Sequence, residues 1–536
     1  MTECKTSEPV IQKPFEPGLP HVACVLLWYP LFTQPFIFRE VQGLRKRLPV
    51  SVYSLYGANL RHCSTEMQMA ARQTHTLGTK ALFAILAEVV RQVCAHPLRM
   101  GRLFRRTMFR RWRCIETMGE NLWAFCAGVY LGRRFKEAGI DMIYAPWPRG
   151  TATAAWVAGS IAGLPFATCA RGDNLEPADP DLGAKLDAAF LVRANNGADK
   201  ARIENFDRGQ AKGKVELVYN GLTLPPLEDV CLAEPAEQGD QVGQAQADPA
   251  EPLEQARQAE QGASLAAQAS PVQASPVHAS LVHTSLADAS PTQASLAQAS
   301  LGHASLACCD FSDIAHSLPQ LEAVPASASP VPMARPVRLL ALGRFDVTKG
   351  FDVLLRACGL LQDRGLDFTL TLAGGGGTVM GLGNMQAELT HLRKELGLEA
   401  RVSMPGLISH NELPRLLRDH DIFVAPCVVH ASGRRDGIPN TVIEALAYGL
   451  PVVSTTVNAL PEVVRHGKTG LAVPQHDAAA LADAVETLAK DAALAAGLAR
   501  NGRLLAARMF DPEANNDRLA RIFTNNYRCG KETCVE

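Results

Sequence analysis

The sequence predicts an α/β fold with two doubly wound parallel-sheet domains, and three observations carry that expectation. Short apolar, β-branched runs alternate with helix-like stretches from about Pro20 to Gly221, the same alternation resumes at Val337, and between them the composition breaks. From about Asp229 to Pro336 there is little beyond Ala, Gln, Glu, Ser, Pro and His. The 536 residues suffice for two ordinary domains. With 53 Lys and Arg against 54 Asp and Glu, bulk charge points away from nucleic acid. The 14 cysteines form no Cys-x-x-Cys pair, and Met1 to Pro20 carry no secretory signal. Reduced thiols in a cytoplasmic protein are therefore expected, rather than disulfides or zinc.

In the first half, residues 22–27, 50–55, 142–145, 188–192 and 215–218 read as strands. The segment 98–113 interleaves seven arginines with Phe, Leu, Met and Trp. It reads either as a basic amphipathic helix on an anionic membrane surface or as a solvated face packing its apolar side on the domain. The uncharged stretch 150–170 approaches membrane-span length, yet it is rich in Thr, Ala, Gly and Ser and is broken by Pro165, so helix, Gly163 turn and strand are expected. Asp179-Pro180-Asp181 has the spelling of a metal-bound nucleotide site, but its proline and its place before a helix make it a loop.

The composition break carries a five-residue repeat marked by Ser270, Ser275, Ser280 and onward to Ser305. Its apolar position alternates between Leu and Pro (Pro271, Pro276, Leu281, Leu286, Pro291), so a uniform β-helical ladder is not expected. A disordered insertion is.

The second half opens with a strand at 337–342 that runs into Gly343-Arg344-Phe345-Asp346-Val347-Thr348-Lys349-Gly350 and a helix from about Phe351. In an open parallel sheet ligands bind at the carboxyl ends of strands, which places Arg344 and Lys349 to neutralise a diphosphate. A strand at 368–373 leads into Gly374-Gly375-Gly376-Gly377, a tight turn beside that site. Asp436 and Glu444 stand eight residues apart at a helix entrance, with Asn440 read as N-cap and Gly449 as C-cap, before a strand at 451–454. The helix N-terminus suits a phosphate, and a carboxylate one turn in suits sugar hydroxyls.

Gly-Arg…Lys-Gly, a Gly-rich turn, and a carboxylate followed by Gly and then by Glu444 resemble, in order and spacing, the group-1 family of retaining glycosyltransferases with the GT-B fold. Residues 29–40 resemble the opening loop and helix of the family's capsule and exopolysaccharide branch. Tyr219-Asn220-Gly221 resembles the close of its N-terminal domain, and 510–527 the helix that recrosses to the first domain. The resemblance is dense from 337 to 474 and thin before Gly221. It implies an acceptor-side domain at 1–222, a linker at 223–336, a nucleotide-sugar domain at 337–508 and a recrossing helix and tail at 509–536. The implied reaction transfers a sugar from a nucleotide-diphosphate sugar to a saccharide or lipid-linked saccharide, without a metal, in a cytoplasmic protein; the membrane-surface reading of 98–113 would place it at the inner membrane face, the solvated-face reading would not.

The same resemblance makes Arg344, Lys349, Asp436 and Glu444 the catalytic set, and Gly343, Gly374, Gly437, Ile438, Asn440 and Thr441 the donor contacts. Where many relatives carry a histidine facing the acceptor, this chain has Arg171, two residues before Asp173. Arginine cannot serve as a base at neutral pH; by that position Arg171 and Asp173 are assigned to the acceptor side, Arg171 either binding an anionic acceptor or donor phosphate or forming a structural salt bridge to Asp173 or Glu176. Asp436 is one methylene shorter than the commoner Glu. Two other readings are a catalytically inactive nucleotide-sugar binder or scaffold, and a GT-B epimerase, for which no acid/base pair beside the sugar is evident.

Deleting 240–307 is expected to leave the melting temperature close to wild type. The repeat offers too little regular apolar surface to offset its ordering entropy. A large drop in melting temperature, or slow-exchanging amides across 270–305, would show a folded element instead.

Overall fold

The computed structural model describes residues 18–225 and 321–532, apart from short gaps at 33, 61–62, 110–114, 172–174, 176–178, 207–210, 212, 224, 328–331, 333–334, 376–384 and 410. The expected repeat insertion, Gly376 and Gly377, Asp173, and Arg110, Arg111 and Arg113 lie outside the described residues.

The first half forms a seven-stranded sheet from β1 (Val22–Leu31), β2 (Val50–Asn59), β3 (His75–Thr76), β4 (Met142–Ala145), β5 (Phe166–Ala170), β6 (Leu191–Ala194) and β7 (Val215–Leu217). Every pair is parallel, in the order β3-β2-β1-β4-β5-β6-β7. Its helices are α1 (Pro35–Arg45), α2 (Thr65–Arg72), α3 (Leu82–Ala95), α4 (Pro97–Met108), α5 (Ile115–Glu137), α6 (Gly150–Ala162), α7 (Leu182–Ala188) and α8 (Gly197–Glu204).

The second half repeats the plan with β8 (Val337–Leu342), β9 (Phe368–Ala373), β10 (Val402–Gly406), β11 (Ile422–Ala425), β12 (Val452–Thr455) and β13 (Leu471–Val473) in the order β10-β9-β8-β11-β12-β13, again all parallel. The helices here are α9 (Phe351–Asp363), α10 (Gln386–Glu395), α11 (Leu413–Arg418), α12 (Asn440–Ala447), α13 (Leu460–Val463), α14 (Ala478–Lys490), α15 (Ala492–Met509) and α16 (Pro512–Glu532). Each sheet has an apolar cluster on both faces, as parallel strands require.

The chain passes between the halves twice, and the two passages touch. Leu222 N donates to Phe510 O at 2.8 Å, the rings of Tyr219 and Phe510 meet edge to face at 5.6 Å, and a Cβ on Gly221 would lie 2.6 Å from Pro512 Cα. Past this junction α16 packs on the first half. Glu513 pairs with Lys46 and Arg47, Phe523 packs edge to face on Tyr144, and the Tyr527 hydroxyl donates to Asp141.

The uncharged stretch from Gly150 becomes α6, a left-handed Gly163 at φ +75°, and β5. Helix α6 is apolar nearly all round because it is buried nearly all round, lying against α5 and the sheet. Glycine sets that helix contact. A Cβ on Gly128 would stand 2.7 Å from Ala154 O, and one on Gly132 would stand 2.7 Å from Ile161 Cβ.

Gly132→Leu is therefore expected to destabilise the fold by on the order of 3 kcal/mol through overpacking. Gly119, on the same helix with nothing within 4 Å of its added Cβ, should instead gain roughly 0.5–1 kcal/mol as alanine. Denaturant midpoints of the two variants should move in opposite directions; movement in the same direction would mean that the α5–α6 contact is not glycine-limited.

Candidate active site

The order of the second sheet reverses between β8 and β11, and the crevice outside the carboxyl ends of strands at such a point is where α/β sheets take ligands. Glycines close that corner. Gly374, ending β9, has φ +150°, and a Cβ there would lie 1.7 Å from Gly343 O; Gly350 has φ +64°, and its Cβ would lie 2.0 Å from Pro426 O. Backbone meets backbone at both places, so no side chain fits.

The loop between Gly343 and Gly350 is braced from within. Asp346 accepts from Thr348 N and Thr348 Oγ1, both at 3.1 Å, and pairs with the buried Arg434 at 2.6 Å. Lys349 Nζ stands 3.1 Å from Asp436 Oδ2, which also accepts from Thr348 Oγ1 at 3.3 Å. Burial pulls the Lys349 pKa down, and the facing Asp436 more than restores it. The ammonium thus stays charged. Arg344 is exposed on the same loop.

Helix α12 starts at Asn440, with Pro439 in the extended cap position and no side-chain cap. The expectation that Asn440 caps the helix is thus off by one residue: fixed at φ −61°, Pro439 takes the extended N-cap conformation and Asn440 becomes the first helical residue. Thr441 Oγ1 donates to Leu342 O at 3.4 Å, holding the first turn of α12 against the end of β8. Ile438 packs on the apolar cluster beneath. Gly343, Gly374, Lys349, Asp436 and Thr441 are thereby gathered at one corner.

Glu444, one turn further along α12, is 9% exposed. Burial pushes its carboxyl up to about 7, opposed by the cation of Arg39, on α1 of the first half. Gly437 faces the first half as well, since a Cβ there would stand 3.0 Å from Asn196 Nδ2. Nearby Glu462 receives the N–H groups of Gly197 at 3.0 Å and Ala198 at 2.9 Å, together with the Tyr219 hydroxyl at 2.8 Å. A carboxylate of the second half thus caps helix α8 of the first. Local sequence signals identify neither Arg39 nor Glu462, because both act across more than two hundred residues of chain; only Asn196, a side-chain cap before α8, had a readable cue.

Arg171 is not gathered into this corner by any contact among the described residues. Its guanidinium lies between the rings of Phe36 (4.9 Å) and Trp147 (4.8 Å), 3.8 Å from Glu40 and hydrogen-bonded to Asn220. Glu40 is shared with Arg193 and with the Tyr144 hydroxyl, which donates at 2.7 Å. Arg171 Nε and Nη2 have no hydrogen-bond partner among the described residues. The two acids of Asp179-Pro180-Asp181 face Arg149 at 3.4 Å and the buried Lys185 at 2.7 Å.

A buried carboxyl with a raised pKa costs stability once it ionises. Below the unfolded value of 4.5 Glu444 is neutral in both states; between there and about 7 the folded state binds the proton more tightly, so its contribution falls as pH rises. Glu444→Gln should accordingly melt with wild type near pH 4.5 and above it at pH 8, by on the order of 3 kcal/mol. Parallel melting curves across that range would place the ionisation elsewhere.

Residues 336–491 match the family described as glycosyl transferases group 1. A colanic acid biosynthesis glycosyltransferase of Escherichia coli K12 is 32% identical over 190 residues, covering 35% of this chain and 45% of that protein. The amylovoran biosynthesis glycosyltransferase AmsK of Erwinia amylovora is 35% identical over 148 residues, 28% of this chain and 35% of its own. The matches thus span less than half of either relative. Among solved structures, Anabaena Alr3699/HepE in complex with UDP aligns at TM-score 0.56 and 16% identity over 94% of this chain and 99% of that one. Sucrose-phosphate synthase of Thermosynechococcus elongatus aligns at 0.55 and 15%, over 95% and 99%. Residues 336–491 are a group 1 glycosyltransferase domain, and the two parallel sheets are the two halves of a GT-B fold.

Proposed function

We propose that the protein is a retaining glycosyltransferase that moves a sugar from a nucleotide-diphosphate sugar to a saccharide or lipid-linked saccharide in cell-surface polysaccharide assembly. The observation that carries this reading is the corner at the end of β8, where Lys349 is held charged by Asp436, Arg344 is exposed on the same loop, and Thr441 ties the first turn of α12 to the strand end. Negative charge grows on the departing diphosphate as its bond to the anomeric carbon breaks. Arg344, Lys349 and the N–H groups at Asn440 and Thr441 would stabilise that charge more in the transition state than in the ground state. Cationic side chains would thus stand where other transferases use a metal.

Asp436 keeps Lys349 protonated in the ligand-free protein, and with the backbone of Gly437 and Ile438 would receive the donor sugar. Gly343 and Gly374 let the backbone approach the diphosphate. Glu444 would take the ribose hydroxyls, and their hydrogen bonds would relieve its burial. On the acceptor side, Arg171 Nε and Nη2, which have no hydrogen-bond partner among the described residues, would suit an anionic group, and Asp173 is assigned to the same side. No nucleophile is assigned to the protein. The acceptor hydroxyl would attack from the face the diphosphate leaves, passing its proton to the departing phosphate oxygen.

The names of the curated relatives, for colanic acid and amylovoran, support the polysaccharide class. One structural neighbour was solved with UDP-glucose. A cytoplasmic enzyme whose arginines at 98–113 meet the inner membrane face fits a lipid-linked acceptor; among the described residues no single helix is long and apolar enough to cross a membrane.

Screening nucleotide sugars for slow hydrolysis and transfer tests the reaction. With the accepted donor, Arg344→Ala and Lys349→Ala should each lower turnover by roughly 100- to 1,000-fold, the usual effect of losing one preorganised contact to developing charge. Near-normal turnover in both would remove this corner from the chemistry. Calorimetry with the nucleoside diphosphate should show weaker binding to Glu444→Ala than to Glu444→Gln.

A further inference from the structure

Helix α3 is amphipathic with the wrong side out. Toward the protein it turns Ile85, Glu88 and Gln92, whereas Phe83, Leu86, Val90 and Val93 are 84%, 48%, 62% and 45% exposed. Positions 83, 86, 90 and 93 share one helical face. Glu88 accepts within the helix from Arg91 at 2.5 and 2.9 Å and from Gln92 at 2.9 Å, and the tie to the protein is its bond from Arg133 of α5 at 3.3 Å together with Ile85 in the core. The Arg91 hydrogen bonds foremost hold its carboxyl down to about 2. The outward apolar face is therefore the packed orientation of this helix.

Helix α4 follows after a bend of 118°. It buries Met100, Leu103, Thr107 and Met108 and exposes Arg99, Arg102, Arg105 and Arg106. Leu98 in its first turn and Phe109 just after it are 79% and 82% exposed. From Lys80 to Phe109 the only acid is Glu88, and it is buried. An apolar face followed by the arginines of α4, with the neighbouring exposed Glu137 of α5 taken up by Arg133 and Arg134, fits a surface that is apolar beneath and anionic on top. A second copy of the same face would bring like charges together.

We propose that this surface docks on an anionic lipid bilayer, with the outward face of α3 entering the acyl boundary and the arginines of α4 resting on lipid phosphates. This rests on the reading that 98–113 meets a membrane and deepens it by naming a different helix as the inserting element. Electrostatic attraction alone holds a protein in the headgroup layer and fades with salt; apolar insertion persists.

Flotation of the full chain with vesicles tests it. Wild type should float with mixed phosphatidylcholine and phosphatidylglycerol vesicles and not with phosphatidylcholine alone. Phe83→Ser with Val90→Ser, both at exposed sites, should keep the melting temperature and lower partitioning by about tenfold or more. Arg105→Gln with Arg106→Gln should lower it by a similar factor and flatten its dependence on salt. Absence of wild-type flotation refutes the membrane reading itself. Equal flotation of the Phe83/Val90 variant refutes insertion by α3 while leaving the arginines as the contact. A dimer in light scattering that the same variant dissolves gives the face to a second copy and overturns the proposal.

Discussion

A parallel strand buried on both faces can present polar groups only where it ends, and the site depends on that constraint. Strands β8, β9 and β11 are almost wholly apolar, so every charge of the corner comes from the loops beyond them. Those loops must come within backbone contact of one another. Gly343, Gly350 and Gly374 allow this, and Gly350 and Gly374 meet carbonyl oxygens where a Cβ would clash. The cations then need internal braces, supplied by Asp346, Thr348, Arg434 and Asp436. Glycine contact and carboxylate bracing are thus two consequences of gathering cations at the end of a buried sheet.

The same constraint explains why Glu444 is costly. It projects from a helix packed on the sheet, and its carboxyl is lifted to about 7, with a cation from the other half as its opposing charge. A protein selected for stability alone would place a neutral residue there. A buried carboxyl with a strongly raised pKa facing a cation of the other half is the physical feature on which the proposed ribose contact rests. Arg39 and Glu40 are neighbours on α1, yet one faces Glu444 and the other lies in the buried Arg193 and Tyr144 network. One short helix therefore couples the core of the first half to the site of the second, and Glu462 on the cap of α8 makes a second such coupling.

Sequence reading reached what is contiguous in the chain. The loop from Gly343 to Gly350 and the unit from Asp436 to Gly449 are each a strand end and a helix start, so spacing alone orders their residues. Asn440 was misplaced by one position because proline took the cap. Arg39, Glu462 and the surroundings of Arg171 stayed out of reach, since each is defined by partners from distant elements. For Arg171, charge and position suggested an acceptor contact, and only the structure shows two aromatic rings and Glu40 around it.

Helix α3 marks a different limit of pattern reading. Periodicity shows that a helix has an apolar stripe and a polar stripe, but not which of them faces the core. The usual choice buries the apolar one, whereas here Glu88 turns inward and the half-exposed Arg133 of α5 meets it at the rim of the contact. Turning α3 over would carry Glu88 with its Arg91 and Gln92 partners into water and break the hydrogen bond from Arg133. The outward phenylalanine, leucine and valines thus accompany an inward carboxylate whose arginine partners are half exposed. A face made apolar at that cost to solubility has a physical rationale only if something other than water covers it.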